Sequence, residues 1–395
     1  MFRTLISLVF AGALAVSAVA QSQKELTVEL QADLKSKAVK IAGSPELTGL
    51  ATTAFKTHGA FRLPPTGAGH TLNFTSAGPN QVRLEITAGS PARSVFTQVV
   101  SGTSTRNALF RAADVAVQQL TGLPGYFAGR LAFISERTGK REVYTSDLFF
   151  GEASQITHDN AHALTPRWSP DGSRIIYTTF FRTGTPDIYV MSPSTGQRTK
   201  VASYKGTNSG GRFSPDGGRV AAVLSAGGNQ EIFIGPASGQ GFRRVTNSPG
   251  IEASPCWSPD GSRLIFTSDR GGRPALYTMS AAGGAMTAVP TNISGYCAEP
   301  DWSRAKPNMI AFTCGVGGGF QVAVYDMATR QSRIVTKGGG DAIEPCWLAD
   351  GRHLVYTLRS GASRQLKILD TETGRATTIS PSSIGQVSQA NYLKR

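Results

Sequence analysis

Two glutamates in the second half of the chain have a setting that could support metal chemistry. Glu299 and Glu344 each stand three residues before a tryptophan and directly before a proline. Two carboxylates that face a common channel could hold a divalent cation. The corresponding positions, three residues before the other aromatic residues of the same pattern, are uncharged: Thr165, Gly210, Ser254 and Gln389. The sequence therefore offers two ligands for a metal and no complete ring of them.

No other group of residues has the spacing of a catalytic or cofactor site. The sequence has no G-x-S-x-G motif that would mark a serine nucleophile. Its five histidines are scattered, and His158 and His162 fall in an interstrand loop, where the helical spacing of a zinc site does not apply. The aspartates of the Ser-Pro-Asp-Gly phrases lack the alternating acidic spacing of a calcium loop. We therefore expect no cofactor and no enzymatic activity.

The four cysteines include no CxxC pair, which argues against a zinc site. Cys297 and Cys314 lie on the two sides of a short turn, at positions that face each other in a hairpin. They are a candidate disulfide, which an exported protein permits. Cys256 and Cys346 each precede a tryptophan in separate repeats, and we expect them to be small buried residues.

All these residues belong to a repeat with a period of 44 or 45 residues. The repeat is marked by aromatic anchors, the last of which is followed 45 residues later by Tyr392: Trp168, Phe213, Trp257, Trp302 and Trp347. Three anchors begin the phrase aromatic-Ser-Pro-Asp-Gly, whose proline and glycine favour a tight hairpin turn. Residues 253–291 have the pattern of four short strands, and four strands in a period of about 40–50 residues are typical of one propeller blade. The pattern predicts an all-β six-bladed β-propeller over residues 129–395.

The two ends of the repeat region complement each other. Residues 130–157 supply the second, third and fourth strands of a blade, and residues 385–392 match the first-strand segment 250–257. We predict that the C-terminal strand completes the first blade and closes the ring, because closure removes open sheet edges. An open solenoid is the alternative, and it would need atypical capping units at both ends.

On such a propeller, Glu299 and Glu344 lie near the central channel. The alternative function is therefore an exported six-bladed propeller lyase or lactonase with a channel metal held by this pair. Propellers host both catalytic and binding functions, so the fold alone does not decide between them.

The segment before the repeats has a different character. Residues 1–20 are expected to be a signal peptide, since Arg3 precedes an apolar run and a small-residue cleavage pattern ends at Ala20. Residues 21–125 predict a small α/β N-terminal domain with strands at 37–42, 71–75, 82–86 and 94–100, and helices after Ser44 and over 104–120. The net charge of +14 is diffuse. Export argues against nucleic-acid partners, and no later stretch reaches transmembrane length, so we expect a protein peripheral to membranes.

Three stretches carry a family resemblance: the junction at residues 112–133 (AADVAVQQLTGLPGYFAGRLAF), the Trp-Ser-Pro-Asp-Gly repeats, and the tail from Gly385 to Leu393. Over about residues 105–395 the chain resembles the TolB family, the periplasmic component of the Tol-Pal system. The resemblance implies a monomeric two-domain adaptor of the periplasm without enzymatic activity. It also implies a role in outer-membrane integrity and in invagination during cell division.

The resemblance further implies two protein partners. A Pal-like peptidoglycan-associated lipoprotein is expected to contact propeller loops at Thr207, Gly210 and Ala253, and the family usually has a histidine where this chain has Thr207. A TolA-like inner-membrane protein is expected to bind an N-terminal strand that contains Glu25, Leu26, Thr27 and Val28.

Overall fold

A computed structural model of the protein describes residues 36–394. The predicted signal peptide and the predicted TolA-binding strand at Glu25, Leu26, Thr27 and Val28 lie outside the described residues. Within 36–394, none of the helices combines the length and the apolar character that crossing a membrane requires. This part of the chain consists of an α/β region followed by six four-stranded sheets.

The N-terminal α/β region is a five-stranded sheet with two helices. Its elements are β1 Lys37–Gly43, α1 Pro45–Lys56, β2 Phe61–Arg62, β3 His70–Gly78, β4 Gln81–Ala88, β5 Arg93–Ser101 and α2 Thr105–Thr121. The strand order is β2-β1-β3-β4-β5. Helix α2 begins where Ser104 Oγ accepts the amide of Asn107, and it ends at Gly122 with φ 74°. The sequence pattern predicted both helices and the four longer strands, whereas the two-residue β2 was missed.

Each of the six sheets is one blade, and we number the blades along the chain. Blade 1 contains β6 Arg130–Ser135, β7 Glu142–Asp147 and β8 Ser154–Gln155, together with β29 Val387–Leu393. Blade 2 contains β9 Ala163–Trp168, β10 Ile175–Thr179, β11 Asp187–Met191 and β12 Arg198–Ala202. Blade 3 contains β13 Asn208–Phe213, β14 Arg219–Leu224, β15 Glu231–Pro236 and β16 Arg243–Arg244.

The remaining blades have the same antiparallel order. Blade 4 contains β17 Glu252–Trp257, β18 Arg263–Ser268, β19 Ala275–Ser280 and β20 Thr287–Ala288. Blade 5 contains β21 Cys297–Trp302, β22 Met309–Val316, β23 Gly319–Asp326 and β24 Gln331–Ile334. Blade 6 contains β25 Asp341–Trp347, β26 His353–Ser360, β27 Ser363–Asp370 and β28 Ala376–Thr378. A short 3-10 turn, Ser382–Ile384, leads from blade 6 into β29.

The ring closes as the sequence predicts. Strand β29 pairs with β6, so that Tyr392 lies opposite Leu131 and Val387 opposite Ser135. The hydroxyl of Tyr392 also donates a 2.9 Å hydrogen bond to the carbonyl of Tyr126, just before the propeller. The same strand therefore completes blade 1 and contacts the junction with the N-terminal region.

The aromatic anchors form the core between neighbouring blades. Each ends the innermost strand of its blade, and Trp257 is 5% exposed. The guanidinium of Arg219, at the start of the second strand of blade 3, lies 4.8 Å from the ring of Trp257 in blade 4. The same arginine-over-anchor contact occurs in three further pairs: Arg130 with Trp168, Arg174 with Phe213, and Arg263 with Trp302. The anchors thus join blades by burial and by cation–π contact.

Each innermost strand contains an irregularity three residues before its anchor. The residue there has a positive φ, from 49° at Thr165 to 65° at Gly210. The pairing register shifts at the same place in all six blades. Such a bulge turns one side chain out of the regular alternation of the strand. The bulge therefore determines which side chain of each innermost strand faces the central channel.

Candidate functional site

The bulge residues line a narrow section of the central channel. This section has a volume of about 80 Å³, and its lining includes all six bulge residues: Thr165, Gly210, Ser254, Glu299, Glu344 and Gln389. The sequence pattern predicted that Glu299 and Glu344 face the channel, and the structure confirms it.

The two glutamates are bonded to the neighbouring blades. Glu299 Oε2 accepts the backbone amide of Glu344 at 3.0 Å, and Glu344 Oε2 accepts the amide of Gln389 at 2.9 Å. The side-chain oxygen of Gln389 in turn accepts the amide of Thr165 at 2.7 Å. Each carboxylate also accepts a threonine hydroxyl at 2.7 Å. These bulge side chains thus fasten blades 5, 6, 1 and 2 to one another in series.

This bonding does not favour a metal held by the glutamates. Burial and the nearby Glu344 carboxylate raise the pKa of Glu299, which favours a proton on Glu299. In residues 36–394, the one group of three or more histidine, cysteine or acidic side chains close enough to bind a metal lies elsewhere, at His58, Asp350 and His353. The pair in the channel therefore lacks a third ligand of these types.

The group at His58, Asp350 and His353 lies where the N-terminal region meets blade 6. The Nδ1 atom of His353 is 2.5 Å from Asp350 Oδ2, and the Arg352 guanidinium is 2.7 Å from Asp370 Oδ2. The ring of His353 packs against His58 at 4.5 Å between centroids and against Tyr126 at 4.8 Å. Burial acts to lower the pKa of His353, but the Asp350 carboxylate outweighs it and raises this pKa to about 9.

The ring nitrogens of His58 do not favour a metal at this cluster. The Nδ1 atom of His58 accepts the amide of Ala60 at 3.2 Å, so the ring hydrogen stands on Nε2 and leaves no lone pair there for a metal. Burial also lowers the pKa of His58, which keeps its ring neutral. A charged His353 held between Asp350 and the neutral ring of His58 therefore links blade 6 to the N-terminal region.

The predicted pairing of Cys297 and Cys314 is correct in register but not in bonding. The two residues are direct cross-strand partners in blade 5. Both are free thiols, so the predicted disulfide is absent from the structure. The reason is the direction of the Cys297 side chain, whose Sγ lies 3.4 Å from Thr291 Oγ1 and 3.8 Å from the carbonyl of Ser294.

The positions predicted to contact a Pal-like partner lie on two neighbouring innermost strands. Thr207 directly precedes β13, its amide donates to Ser225 Oγ at 2.7 Å, and it is half-buried. Ala253, also half-buried, pairs with Thr267 at the start of β17. Gly210 lies further along, in the narrow channel. Thr207 and Ala253 therefore share one face of the propeller, and Gly210 faces inward from it.

That face also carries exposed apolar side chains. Tyr204 is 41% exposed and lies in the loop that leads into β13. Ile251 is 46% exposed and directly precedes β17. Tyr296 and Val316 are exposed at the same end of blade 5. The N-terminal region packs at the other end of the strands, where the turn after Trp347 leads to His353. We call Tyr204, Ile251, Tyr296 and Val316 the apolar arc, and exposed apolar side chains on one face are candidates for an interaction site.

A second ring of channel residues was missed by the sequence reasoning. The residues directly before the anchors line a wider section of the channel: Arg167, Arg212, Asp301, Cys346 and Asn391. An alignment of the repeats does contain a signal for this ring. The residues directly before the anchors occupy equivalent positions in the blades, yet they include positively charged, negatively charged and uncharged side chains. The prediction for Cys256 and Cys346 as buried residues is confirmed, and their sulfurs accept the amides of Trp302 and Tyr392.

Comparison with known proteins identifies relatives of the chain. The family described as PD40, TolB beta propeller domain, matches residues 117–393. A Tol-Pal system protein TolB from Desulfosudis oleivorans is 37% identical over 145 residues, which are 37% of this chain and 33% of that protein. A protein of the same name from Gluconobacter oxydans is 37% identical over 231 residues, 57% of this chain and 50% of that protein.

The structural comparison extends over more of the chain. The crystal structure of TolB from Acinetobacter baumannii matches with a TM-score of 0.81 and 26% identity, over 91% of this chain and 97% of that one. The sequence matches, in contrast, span a third of the length of the first curated relative and half of the second.

Proposed function

The chain belongs to the TolB β-propeller domain family, and from this premise we propose that it is a non-catalytic adaptor of the cell envelope. In this proposal residues 1–20 direct export to the periplasm, residues 21–125 form one domain, and residues 129–395 form the propeller. The protein acts there in outer-membrane integrity and in invagination during cell division. The observation that carries the proposal is the match to a TolB crystal structure over 91% of the chain, which includes the N-terminal region as well as the propeller.

The propeller face with the apolar arc is the proposed docking surface for a Pal-like lipoprotein. Thr207 and Ala253 lie on this face, and Tyr204 and Ile251 supply exposed apolar side chains beside them. A few residues near the centre of an interface, often aromatic ones such as tyrosine, contribute most of the binding energy of many complexes. The N-terminal region leaves this face accessible because it packs at the opposite end of the blades.

A TolA-like protein is the proposed second partner, bound through Glu25, Leu26, Thr27 and Val28. Its site is separate in sequence from the apolar arc, so one adaptor could contact both partners. The bonded state of Glu299 and Glu344 gives the lyase or lactonase alternative no support beyond the position of these residues in the channel.

Isothermal titration calorimetry with the soluble Pal domain of the same organism tests the proposed docking surface. The Ile251→Ser variant is expected to bind at least about tenfold more weakly, because it removes an exposed apolar contact from the interface. The Thr207→His variant restores the residue usual in the family and is expected to bind more tightly than the unaltered chain.

Val95→Ser is the matched control, since Val95 is 60% exposed on β5 of the N-terminal sheet, away from the apolar arc. It should bind like the unaltered protein. Absence of heat at high micromolar concentrations, or an equal loss in Val95→Ser and Ile251→Ser, would contradict the docking surface.

A further inference from the structure

The wide section of the channel carries more positive than negative side chains. It has a volume of about 430 Å³ and lies between the anchors, Pro124 and the end of β29. Its charged lining consists of three arginines, one lysine and one aspartate: Arg167, Arg212, Arg304, Lys394 and Asp301. A cavity of this size is in the range that small ligands occupy, roughly 300–1,000 Å³.

The single aspartate is already used by one arginine. Arg212 in blade 3 forms an ion pair with Asp301 Oδ1 in blade 5. The other carboxylate oxygen of Asp301 accepts the amide of Trp347 at 2.8 Å. Asp301 therefore neutralises Arg212, and each of its two oxygens already accepts a hydrogen bond.

Arg167 has no such partner. Its hydrogen bond to the carbonyl of Ala390 is long, at 3.5 Å, and within residues 36–394 no carboxylate comes within the 4.0 Å distance of an ion pair. Burial and the nearby Arg212 guanidinium lower the pKa of Arg167, which means that its charge is held against both desolvation and repulsion. Arg167 thus forms no direct ion pair within the described residues, although the carboxylates of Asp301 and Glu344 attract its charge at longer range.

Comparison of the six blades shows that this position usually has a structural task. In four blades the side chain directly before the anchor accepts the backbone amide of the next blade's anchor: Cys256 from Trp302, Asp301 from Trp347, Cys346 from Tyr392, and Asn391 from Trp168. A guanidinium cannot accept a hydrogen bond. Arg167 and Arg212 therefore cannot make this hydrogen bond to the next blade. The ion pair with Asp301 gives Arg212 another structural role, whereas Arg167 has no such ion pair.

We propose that the wide section of the channel binds an oxyanion group, a carboxylate or a phosphate, through Arg167, with Arg304 and Lys394 at its rim. The planar fork of a guanidinium matches the two oxygens of either group. In a cavity shielded from bulk water, the attraction between the ligand and Arg167 is stronger than at an open surface. This site lies in the channel and does not depend on the proposed docking of protein partners.

Thermal unfolding and calorimetry with sodium phosphate and with sodium succinate test the site. Ionic strength is held constant with sodium chloride, so that general screening does not change. The unaltered protein should melt at a higher temperature as either anion is added, because a ligand that binds only the folded state stabilises it. A response to phosphate alone assigns a phosphate group, and a response to succinate alone assigns a carboxylate.

The Arg167→Gln variant should lose at least two thirds of this shift. Without anion it should melt at the same or a higher temperature than the unaltered protein, since the substitution removes an unpaired charge. The matched control, Arg243→Gln, removes one positive charge at an exposed residue of β16 and should keep the full response. The Arg167→Lys variant keeps the positive charge but loses the planar guanidinium, so it should bind the anion with weaker affinity. It replaces Arg167→Gln as the test if the glutamine variant does not fold.

Equal shifts in the unaltered protein and in Arg167→Gln would overturn the proposal, because the anion would then act elsewhere. The absence of any shift or heat with both anions would overturn it as well.

Discussion

The carboxyl of Glu252 in blade 4 lies against the carboxyl of Glu231 in blade 3, and both side chains are buried. Glu231 also pairs with Arg244 and accepts the amide of Ser248, in the loop that leads to Ile251. At the position of Glu252, five residues before the anchor, the other blades have no carboxyl: Ala163, Asn208, Cys297, Ala342 and Val387. Burial and the neighbouring Glu231 raise the pKa of Glu252 to about 7. Glu252 therefore titrates in the neutral range.

The first prediction concerns stability against pH. Because the folded state holds the proton of Glu252 above the ordinary pKa of 4.5, its contribution to stability should fall as pH rises from 4.5 to about 7. The slope from one such group is at most about 1.4 kcal/mol per pH unit. Urea unfolding at pH 5 and pH 8 should show this loss in the unaltered protein and a smaller loss in Glu252→Gln. Glu85→Gln, on the N-terminal sheet, is the control, and an equal pH dependence in all three proteins would contradict the prediction.

The second prediction concerns His353 at the contact between the domains. Its pKa of about 9 lies above the ordinary 6.5, so its contribution is complete below pH 6.5 and is lost as pH rises through 9. The His353→Gln substitution removes one positive charge from the cluster, so that Arg352 remains as the cation beside the carboxylates of Asp350 and Asp370. We expect a loss of about 3–5 kcal/mol in the free energy of unfolding at pH 7, measured with urea, because a buried carboxylate becomes unpaired.

A double substitution separates charge from packing at the same place. Asp350→Asn added to His353→Gln removes the carboxylate that His353 neutralises. The double variant should be more stable than His353→Gln alone, as a double-mutant cycle would reveal. If the two losses simply add, the pairing of His353 with Asp350 does not stabilise the contact.

The third prediction concerns the closing strand. Tyr392→Phe removes the hydrogen bond to the Tyr126 carbonyl and should lower the free energy of unfolding by about 0.5–1.5 kcal/mol, since that carbonyl keeps only the longer bond from the amide of Gly129, at 3.3 Å. Removal of residues 386–395 takes away the whole of β29 and should abolish the cooperative transition followed by circular dichroism. A truncated protein that unfolds in one sharp transition at the original midpoint would refute the role of this strand.

The fourth prediction concerns the arginines over the anchors. Arg219 stacks on Trp257 at 4.8 Å and donates to the carbonyl of Gly261 at 3.2 Å. Arg219→Lys keeps the charge but loses the planar contact, and we expect a loss of about 1–2 kcal/mol in chemical denaturation. Arg243→Lys is the exposed control and should change stability little. A loss of equal size in both variants would show that the stack adds nothing specific.

The blades could be predicted from sequence because their signals are local. An anchor, a Ser-Pro-Asp-Gly turn and an alternating strand recur within each period, and the match of residues 385–392 to an innermost strand indicates closure. The contact of His58 with His353 could not be predicted, since it joins residues from two domains with no shared pattern. The bonding of Glu299 was also hidden, because it depends on a left-handed bulge residue with φ 54° and on the backbone of the next blade. For Cys297 the pattern indicated the register, whereas the direction of its sulfur depends on the loop at Thr291.

The pairing of β29 with β6 has a consequence for how the chain reaches its folded state. A ribosome releases β6 more than 250 residues before β29, because 257 positions separate Arg130 from Val387. During that interval blades 2 to 6 can form while one edge of β6 stays unpaired. Unpaired strand edges are sites of aggregation and mispairing. We expect a nascent chain to depend on a holding chaperone until β29 has been synthesised, and premature release of the chain to yield strand-swapped oligomers.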